Sequence, residues 1–256
     1  MHILITGYKG FIGQNMVEAL ADHDLSLYEW GDKDYSLDGV DHVIHLGAIS
    51  STACTDIEKL QAQNIMFSYD LIDRCIESKI PIQMASSASV YGKDNVTFKE
   101  TDVAMPSTPY AYSKYLVETK YKSASSTVQF FRYFNVYGKY EDHKGEQASP
   151  YHKFRKQADR GVISIFEGSS KFCRDFVPVE TVIEVHKRFF DIAESGIWNV
   201  GTGKTRSFED VAREIASETG AEIVEIPMPS NLQSGYQTYT KADLTKLIKH
   251  KGYSHG

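Results

Sequence analysis

The sequence predicts an α/β fold, a doubly wound parallel sheet with a smaller C-terminal appendage. Three observations carry this. Short apolar runs alternate with segments of helical periodicity from residue 2 to residue 138. The runs are continuously apolar, as strands covered on both faces must be. Several end in glycine, where the chain turns sharply out of a sheet edge.

HILIT (2–6) is the first buried strand, and FIGQNMVEALADH (11–23) is a helix with Ile12, Met16, Val17 and Leu20 at helical spacing. LSLYE (25–29) and DHVIHLGA (41–48) are further strands. DIEKLQAQNIMFSYDLIDRCIES (56–78) is one long helix, with Ile57, Leu60, Asn64, Phe67, Leu71 and Cys75 along one side. PIQMASS (81–87) is a strand that opens into a polar loop reaching about residue 105. PYAYSKYLVETKYKS (109–123) is a helix that starts on proline, whose missing N–H would have no partner in the first turn anyway. VQFFRYFNVYG (128–138) is a strand. Beyond Gly138 the pattern loosens. A helix at about 150–160, a strand and helix within 172–193, and a strand at IWNVGTG (197–203) follow. SFEDVAREIASETG (207–220) is a helix running from a capping-box-like Ser207 and Asp210 to a stop at Gly220.

The chain has 256 residues, 41% of them hydrophobic, and a net charge of -6. That suffices for one large domain, or a domain with an appendage. No basic block or stripe offers a surface to nucleic acid. No apolar run is long enough to span a bilayer, and the first residues enter a strand rather than a signal sequence. Cys54, Cys75 and Cys173 lie far apart, with no pair at metal-ligand spacing, so no metal site is expected. Free thiols point to a reducing compartment, the cytoplasm.

Gly7, Gly10 and Gly13 stand between the first strand and the first helix. Such a triplet suits a dinucleotide: the first glycine turns the chain, the second admits a pyrophosphate, and the third lets the helix pack on the sheet. The helix N-terminus then offers N–H groups and a positive dipole end to the phosphates. Glu29, at the end of the second strand, suits both hydroxyls of an adenosine ribose and opposes a 2′-phosphate, which favours NAD. Lys33 nearby argues for NADP.

TPYAYSKYLVE (108–118) offers two tyrosines to one lysine. Residues four apart share a helix face, so Tyr110 pairs with Lys114 and Tyr112 is left to packing. An ammonium beside a phenol favours the phenolate, and Tyr110 can then exchange a proton with a hydroxyl whose carbon exchanges a hydride. The serines of ASSASVYG (85–92) follow a strand, at the sheet edge where ligands of open α/β folds bind.

GYKGFIG, HLGA, SSASVYG, PYAYSK and RYFNVYG stand in the order and spacing of extended short-chain dehydrogenase/reductases acting on nucleotide sugars. The chain resembles that family over nearly its whole length. The resemblance implies a Rossmann-type fold. Residues 1–138 and about 175–200 would bind NADP or NAD, and a small, shortened lobe of about 139–174 and 201–256 would bind a nucleotide sugar. It implies Ser87, Tyr110 and Lys114 as the catalytic serine, tyrosine and lysine. Phe11, Ile12, Leu46, Gly47, Ala48, Asn64 and Val136 would contact the dinucleotide, with Lys114 reaching its ribose. Ser50, Ser87, Asn135, Phe166, Glu167, Gly168, Ser169, Arg174 and Tyr236 would line the sugar-nucleotide pocket. Relatives assemble, so a homo-oligomer is expected.

RYFNVYGKYEDHKGEQAS, IFEGSSKFCRDFV, NVGTGKTRSFEDVA and SGYQTYTKADLTKL resemble the branch that epimerises ADP-heptose at carbon 6. That branch carries NADP and uses two bases, which here would be Tyr110 and Lys144. Inversion needs proton transfer on two faces, which one base serves awkwardly. Arg174 also makes sense by itself, since a guanidinium grips a pyrophosphate through two parallel hydrogen bonds; an ion pair with Asp175 is the alternative.

Three departures from the family pattern stand out. About eleven residues separate Glu29 from Asp41, which implies a shortened adenine pocket walled by Asp34, Tyr35 and Ser36. Glu146 and Lys153 replace a small serine and a histidine, which would alter the charge of the substrate pocket. The chain stops soon after KADLTKL, which implies a thin substrate lobe or one completed by a neighbouring subunit. A 4-epimerase, a ketosugar reductase and a non-catalytic dinucleotide-binding module are the competing readings.

Overall fold

Alternation along the strands decides the architecture. In β1 (His2–Thr6), Ile3 and Ile5 enter one core and Leu4 enters another. The first core is closed by Phe11 and Met16 of α1 (Phe11–Ala19), by Leu20, and by Val179 and Ile183 from a later helix. In the opposite core, Leu71, Ile72 and Cys75 pack with Val117 and Tyr121. The sheet is therefore covered on both faces. The computed structural model describes residues 1–92, 96–230 and 237–250.

After β2 (Asp24–Tyr28) and β3 (His42–His45) the chain forms α2 (Ile57–Leu60), a π-helical stretch (Gln61–Met66) and α3 (Phe67–Ser78). The sequence predicts one unbroken helix here. The π stretch instead re-aims Asn64, with consequences for the site. β4 (Ile82–Ser87), the two-residue β5 (Thr97–Phe98), α4 (Pro109–Tyr121) and β6 (Val128–Tyr133) follow. The single strand expected over 128–138 breaks at Phe134, and β7 (Asn135–Tyr137) leaves the main sheet. Next come α5 (Pro150–Ala158), β8 (Val162–Phe166), β9 (Cys173–Arg174), β10 (Phe176–Pro178) and α6 (Val179–Arg188). β11 (Gly196–Val200), β12 (Arg206–Ser207), α7 (Phe208–Thr219), β13 (Glu222–Ile226) and β14 (Tyr239–Ala242) complete the strands and helices used below. α7 starts on a full Ser207–Asp210 capping box and stops on left-handed Gly220, as its sequence predicts.

The main sheet has the order β11-β6-β4-β3-β1-β2, with every neighbouring pair parallel. β2 is its edge. The short segment between β2 and β3 contributes no strand outside it, as the reduced spacing implies. The order reverses between β1 and β3, so a crevice opens at their carboxyl ends, where ligands of such sheets bind. Two strand pairs, β10-β7 and β13-β8, and a four-stranded sheet β12-β9-β14-β5 form outside the main sheet, mostly from the chain's second half. Tyr151, Phe154, Ile163, Phe176, Val211 and Ile215 form a separate small core there.

Candidate active site

A cleft of about 350 Å³ lies over the carboxyl edge of the sheet. It is lined by Gly7, Gly10, Phe11, Ile12, Gly13, Leu46, Ala48, Ser50, Ala85, Ser86, Tyr110, Lys114, Tyr133, His143 and Lys144. The glycine turn fits a closely approaching pyrophosphate. Gly7 has φ +73°, and a Cβ there would meet the backbone of Gly47 at 2.4 Å. A Cβ on Gly13 would stand 2.1 Å from the Gly7 carbonyl oxygen. α1 has no side-chain cap, so its first-turn N–H groups are suited to anionic oxygens from a ligand.

The facing loop is held by polar groups under it. Ser68 Oγ donates to the Asn64 carbonyl, so it accepts from His45 Nε2 at 2.9 Å. The Thr6 hydroxyl then donates to His45 Nδ1 and accepts the Gly47 N–H. Burial, with Lys114 nearby, holds His45 neutral at a pKa of about 3. Asn64, expected to touch the dinucleotide, is buried and does not line the cleft. Its amide accepts from Ile49 N–H at 2.8 Å and donates to the Ile49 carbonyl and to Ser113 Oγ, each at 3.0 Å. Ser113 in turn donates to the Tyr110 carbonyl. Asn64 thus ties the loop after β3 to the helix that carries Tyr110.

Tyr110 and Lys114 both line the cleft. Tyr112 neither lines it nor packs in the core; it is 52% exposed. Burial pulls Lys114 down to about 8, opposed by the carboxylate of Glu118, and its ammonium donates to the Ala85 carbonyl at 2.9 Å. The expectation that Lys114 makes Tyr110 more acidic is not met in the free protein. Burial pushes the Tyr110 phenol up, and its opposing influence is a hydrogen bond from Ser87. The two strand-end serines are divided between tasks. Ser86 donates to Glu118 Oε1 at 2.5 Å, beside the buried Glu118–Arg132 ion pair, while Ser87 meets Tyr110.

Lys144 reaches the same cleft from a 3₁₀ turn (Asp142–Gln147). Its ammonium lies 3.5 Å from Glu141 Oε2 and 4.7 Å from the centre of the Phe11 ring. Burial lowers its pKa and Glu141 offsets part of this. Glu141 is itself fixed by Gly138 N–H and by the backbone and hydroxyl of Ser149.

A second pocket, sharing Gly7 and Ala48 with the cleft, is lined by Thr6, Tyr28, Glu29, Trp30, Gly47, Gln63 and Phe67. Residues 34–36, expected as its walls, do not line it. Tyr35 packs edge-on against Phe67, and half-exposed Trp30, which does line the pocket, meets the same ring edge-on. Glu29 accepts the N–H groups of Lys9 and Trp30, which sets its carboxylate beside the glycine turn.

Residues 3–201 match the model of the NAD dependent epimerase/dehydratase family. The chain belongs to that family. This epimerase/dehydratase-family protein is similar to ADP-L-glycero-D-manno-heptose-6-epimerase of Helicobacter pylori, at 23% identity over 97% of this chain and 89% of that one, with a TM-score of 0.85. UDP-N-acetylglucosamine 4-epimerase of Methanobrevibacter ruminantium gives 23%, 98%, 92% and 0.85 in the same order. UDP-glucose 4-epimerase of Thermus thermophilus in complex with NAD gives 24%, 100%, 96% and 0.82. At these identities the likeness is one of fold.

Within the family member's second half, Phe166, Glu167, Gly168, Ser169 and Arg174 cluster at the end of β8 and along β9, and none of them lines the main cleft. Arg174 donates to the carbonyls of Cys173 and Gln237. Asp175, its suggested ionic partner, spends both oxygens on Thr202, Gly203 and Ala242. Asn135 is exposed at the head of β7, and Val136 packs against the sheet cores. Tyr236 lies outside the described residues. Glu146 and Lys153 do not line the cleft; they pair with each other at 3.1 Å, so the two replacements offset. Sequence reasoning missed Tyr133, His143, Trp30 and Gln63. Tyr133 and His143 stand within quoted motifs, but nothing local marks them as cleft residues. Among the described residues no helix is long and apolar enough to cross a membrane, and no group of three His, Cys, Asp or Glu is placed to hold a metal ion.

Proposed function

We propose that the protein is a nucleotide-sugar epimerase that uses NAD, with inversion at carbon 6 of an ADP-heptose as the sharpest form of the reading. The observation that carries it is the placing of Tyr110 and Lys144 on one cleft with the glycine turn. Two groups able to move protons thereby enter from different elements, which inversion of a carbon calls for. The parallel sheet serves the dinucleotide, and the lobe of about 139–174 and 201–256 receives the nucleotide sugar.

The glycine turn and the α1 N-terminus hold the pyrophosphate of NAD, and Glu29 receives the adenosine ribose while opposing a 2′-phosphate. When bound, the nicotinamide supplies a reversible hydride acceptor. Ser87 orients the reacting sugar oxygen at Tyr110. The buried phenol is protonated in the free protein and so stands ready as an acid; a positive charge brought into the cleft by the bound cofactor would favour its phenolate form. Tyr110 exchanges a proton at the sugar oxygen, and Lys144 does so from the other element. Lys114, lowered by burial, holds a ribose hydroxyl. Three free thiols suit the cytoplasm.

Two measurements test the reading. Mass spectrometry of the denatured protein is expected to release NAD rather than NADP. Incubation with ADP-L-glycero-D-manno-heptose, UDP-glucose and UDP-N-acetylglucosamine, followed by NMR, is expected to show inversion without net NADH consumption. Stoichiometric NADH consumption would identify a reductase, and no stereochemical change with any of the three would remove the epimerase. Lys144→Ala is expected to slow inversion by ~10²-fold or more while retaining the dinucleotide. A full rate in that variant removes the second base.

A further inference from the structure

Tyr133 ends β6 and lines the cleft with Tyr110 and Lys114, yet the mechanism above gives it no task. Its protonation can be read from a chain of hydrogen bonds that runs back through the sheet. At the far end, one atom of the Gln129 amide meets the backbone carbonyls of Ile192 at 2.5 Å and Glu194 at 3.3 Å. Carbonyls only accept, so that atom is the NH₂ group, and the Gln129 oxygen faces Gln83. Gln83 meets that oxygen at 3.2 Å and the His186 backbone carbonyl at 3.1 Å, so it too turns its NH₂ there. Its own oxygen is left 2.7 Å from His186 Nδ1. Two acceptors do not bond, so Nδ1 carries a hydrogen.

His186 is fully buried, with His42 also buried beside it. Burial first, and His42 second, pull its pKa to about 3, so the ring is neutral and Nε2 holds a lone pair. The Tyr133 oxygen is 2.5 Å from Nε2 and must donate to it. A phenol has one hydrogen. Spent inward, it leaves the Tyr133 oxygen with only lone pairs for any further partner.

We propose that Tyr133 is a fixed hydrogen-bond acceptor for the ligand, taking an N–H or O–H from the group bound beside Tyr110. His186, Gln83 and Gln129 are positioning residues that hold it in this state. The proposal rests on the reading of the cleft as a nicotinamide and sugar site. Two donors have the required chemistry, the nicotinamide carboxamide and a sugar hydroxyl.

The state of the chain is checked first in the wild-type protein. With ¹⁵N-labelled histidine, and His186 assigned through a His186→Asn variant, the ring is expected as the neutral Nδ1–H tautomer from about pH 5 to about pH 9. An imidazolium, or the Nε2–H tautomer, overturns the proposal. Tyr133→Phe then deletes the acceptor and keeps the ring. Where the carboxamide is the donor, NAD affinity falls ~10-fold and ADP-ribose affinity is unchanged. Where a sugar hydroxyl is the donor, NAD affinity is unchanged. The KM for whichever of ADP-L-glycero-D-manno-heptose, UDP-glucose and UDP-N-acetylglucosamine is turned over then rises ~10-fold, more than kcat falls. Unchanged NAD affinity together with unchanged KM overturns the proposal. A wild-type protein that binds ADP-ribose and NAD not at all rejects the cofactor reading instead, a result separate from the tautomer.

Discussion

Tyr110→Phe is expected to cut turnover by ~10²–10⁴-fold while dinucleotide binding is retained, because a positioned acid/base group is worth about that much. The phenol is the only part removed. Phenylalanine keeps the ring that fills a site only 7% exposed, so the fold has no cavity to collapse into. Ser87 loses the phenol, but its hydroxyl still accepts the Ser89 N–H and so stays in place. Released dinucleotide measured by mass spectrometry, and product measured by NMR, separate the two effects. Full turnover in this variant would leave a dinucleotide-binding protein whose chemistry lies elsewhere.

Arg132→Ala is expected to destabilise the protein by ~3–5 kcal/mol, the cost of leaving a buried carboxylate without its cation. Glu118 is 1% exposed and accepts three hydrogen bonds from Arg132, at 3.0, 3.2 and 2.6 Å, besides the Ser86 hydroxyl. The Arg132 guanidinium also lies over the Tyr91 ring, which would lose its packing. Denaturant unfolding followed by circular dichroism gives the figure. The paired change Arg132→Met with Glu118→Leu removes both charges and is expected to recover most of the loss. A loss below ~1 kcal/mol in the single variant would mean that Glu118 finds water or a proton, and that the pair has no hold on the strand-end serines. Because Glu118 is also one turn from Lys114 and opposes the downward pull of burial there, the paired variant, which removes that carboxylate, should lower the lysine further.

Much of the cleft was legible from local rules. The glycine turn follows from backbone sterics over seven residues, and the choice of Tyr110 over Tyr112 follows from helix periodicity alone. Asn64 shows the limit. Its place in a long amphipathic segment was plain, but the partners that its amide meets from the π stretch, Ile49 and, on α4, Ser113, are distant in sequence and come together only in the folded chain. Glu146 and Lys153 show it again: each looked like a change in pocket charge, and only their meeting shows that the charges offset.

The order of residues by itself determined what short-range geometry fixes: the parallel α/β pattern, the glycine turn, the Ser207–Asp210 cap, and the shared helix face of Tyr110 and Lys114. Tertiary structure alone decided which other distant residues share the site, so that Tyr133, His143, Trp30 and Gln63 join one built on β1. It also decided protonation. Desolvation depends on everything packed around a group, and no stretch of sequence carries that sum, so a phenol expected to be made acidic by its neighbour is instead held neutral by its burial.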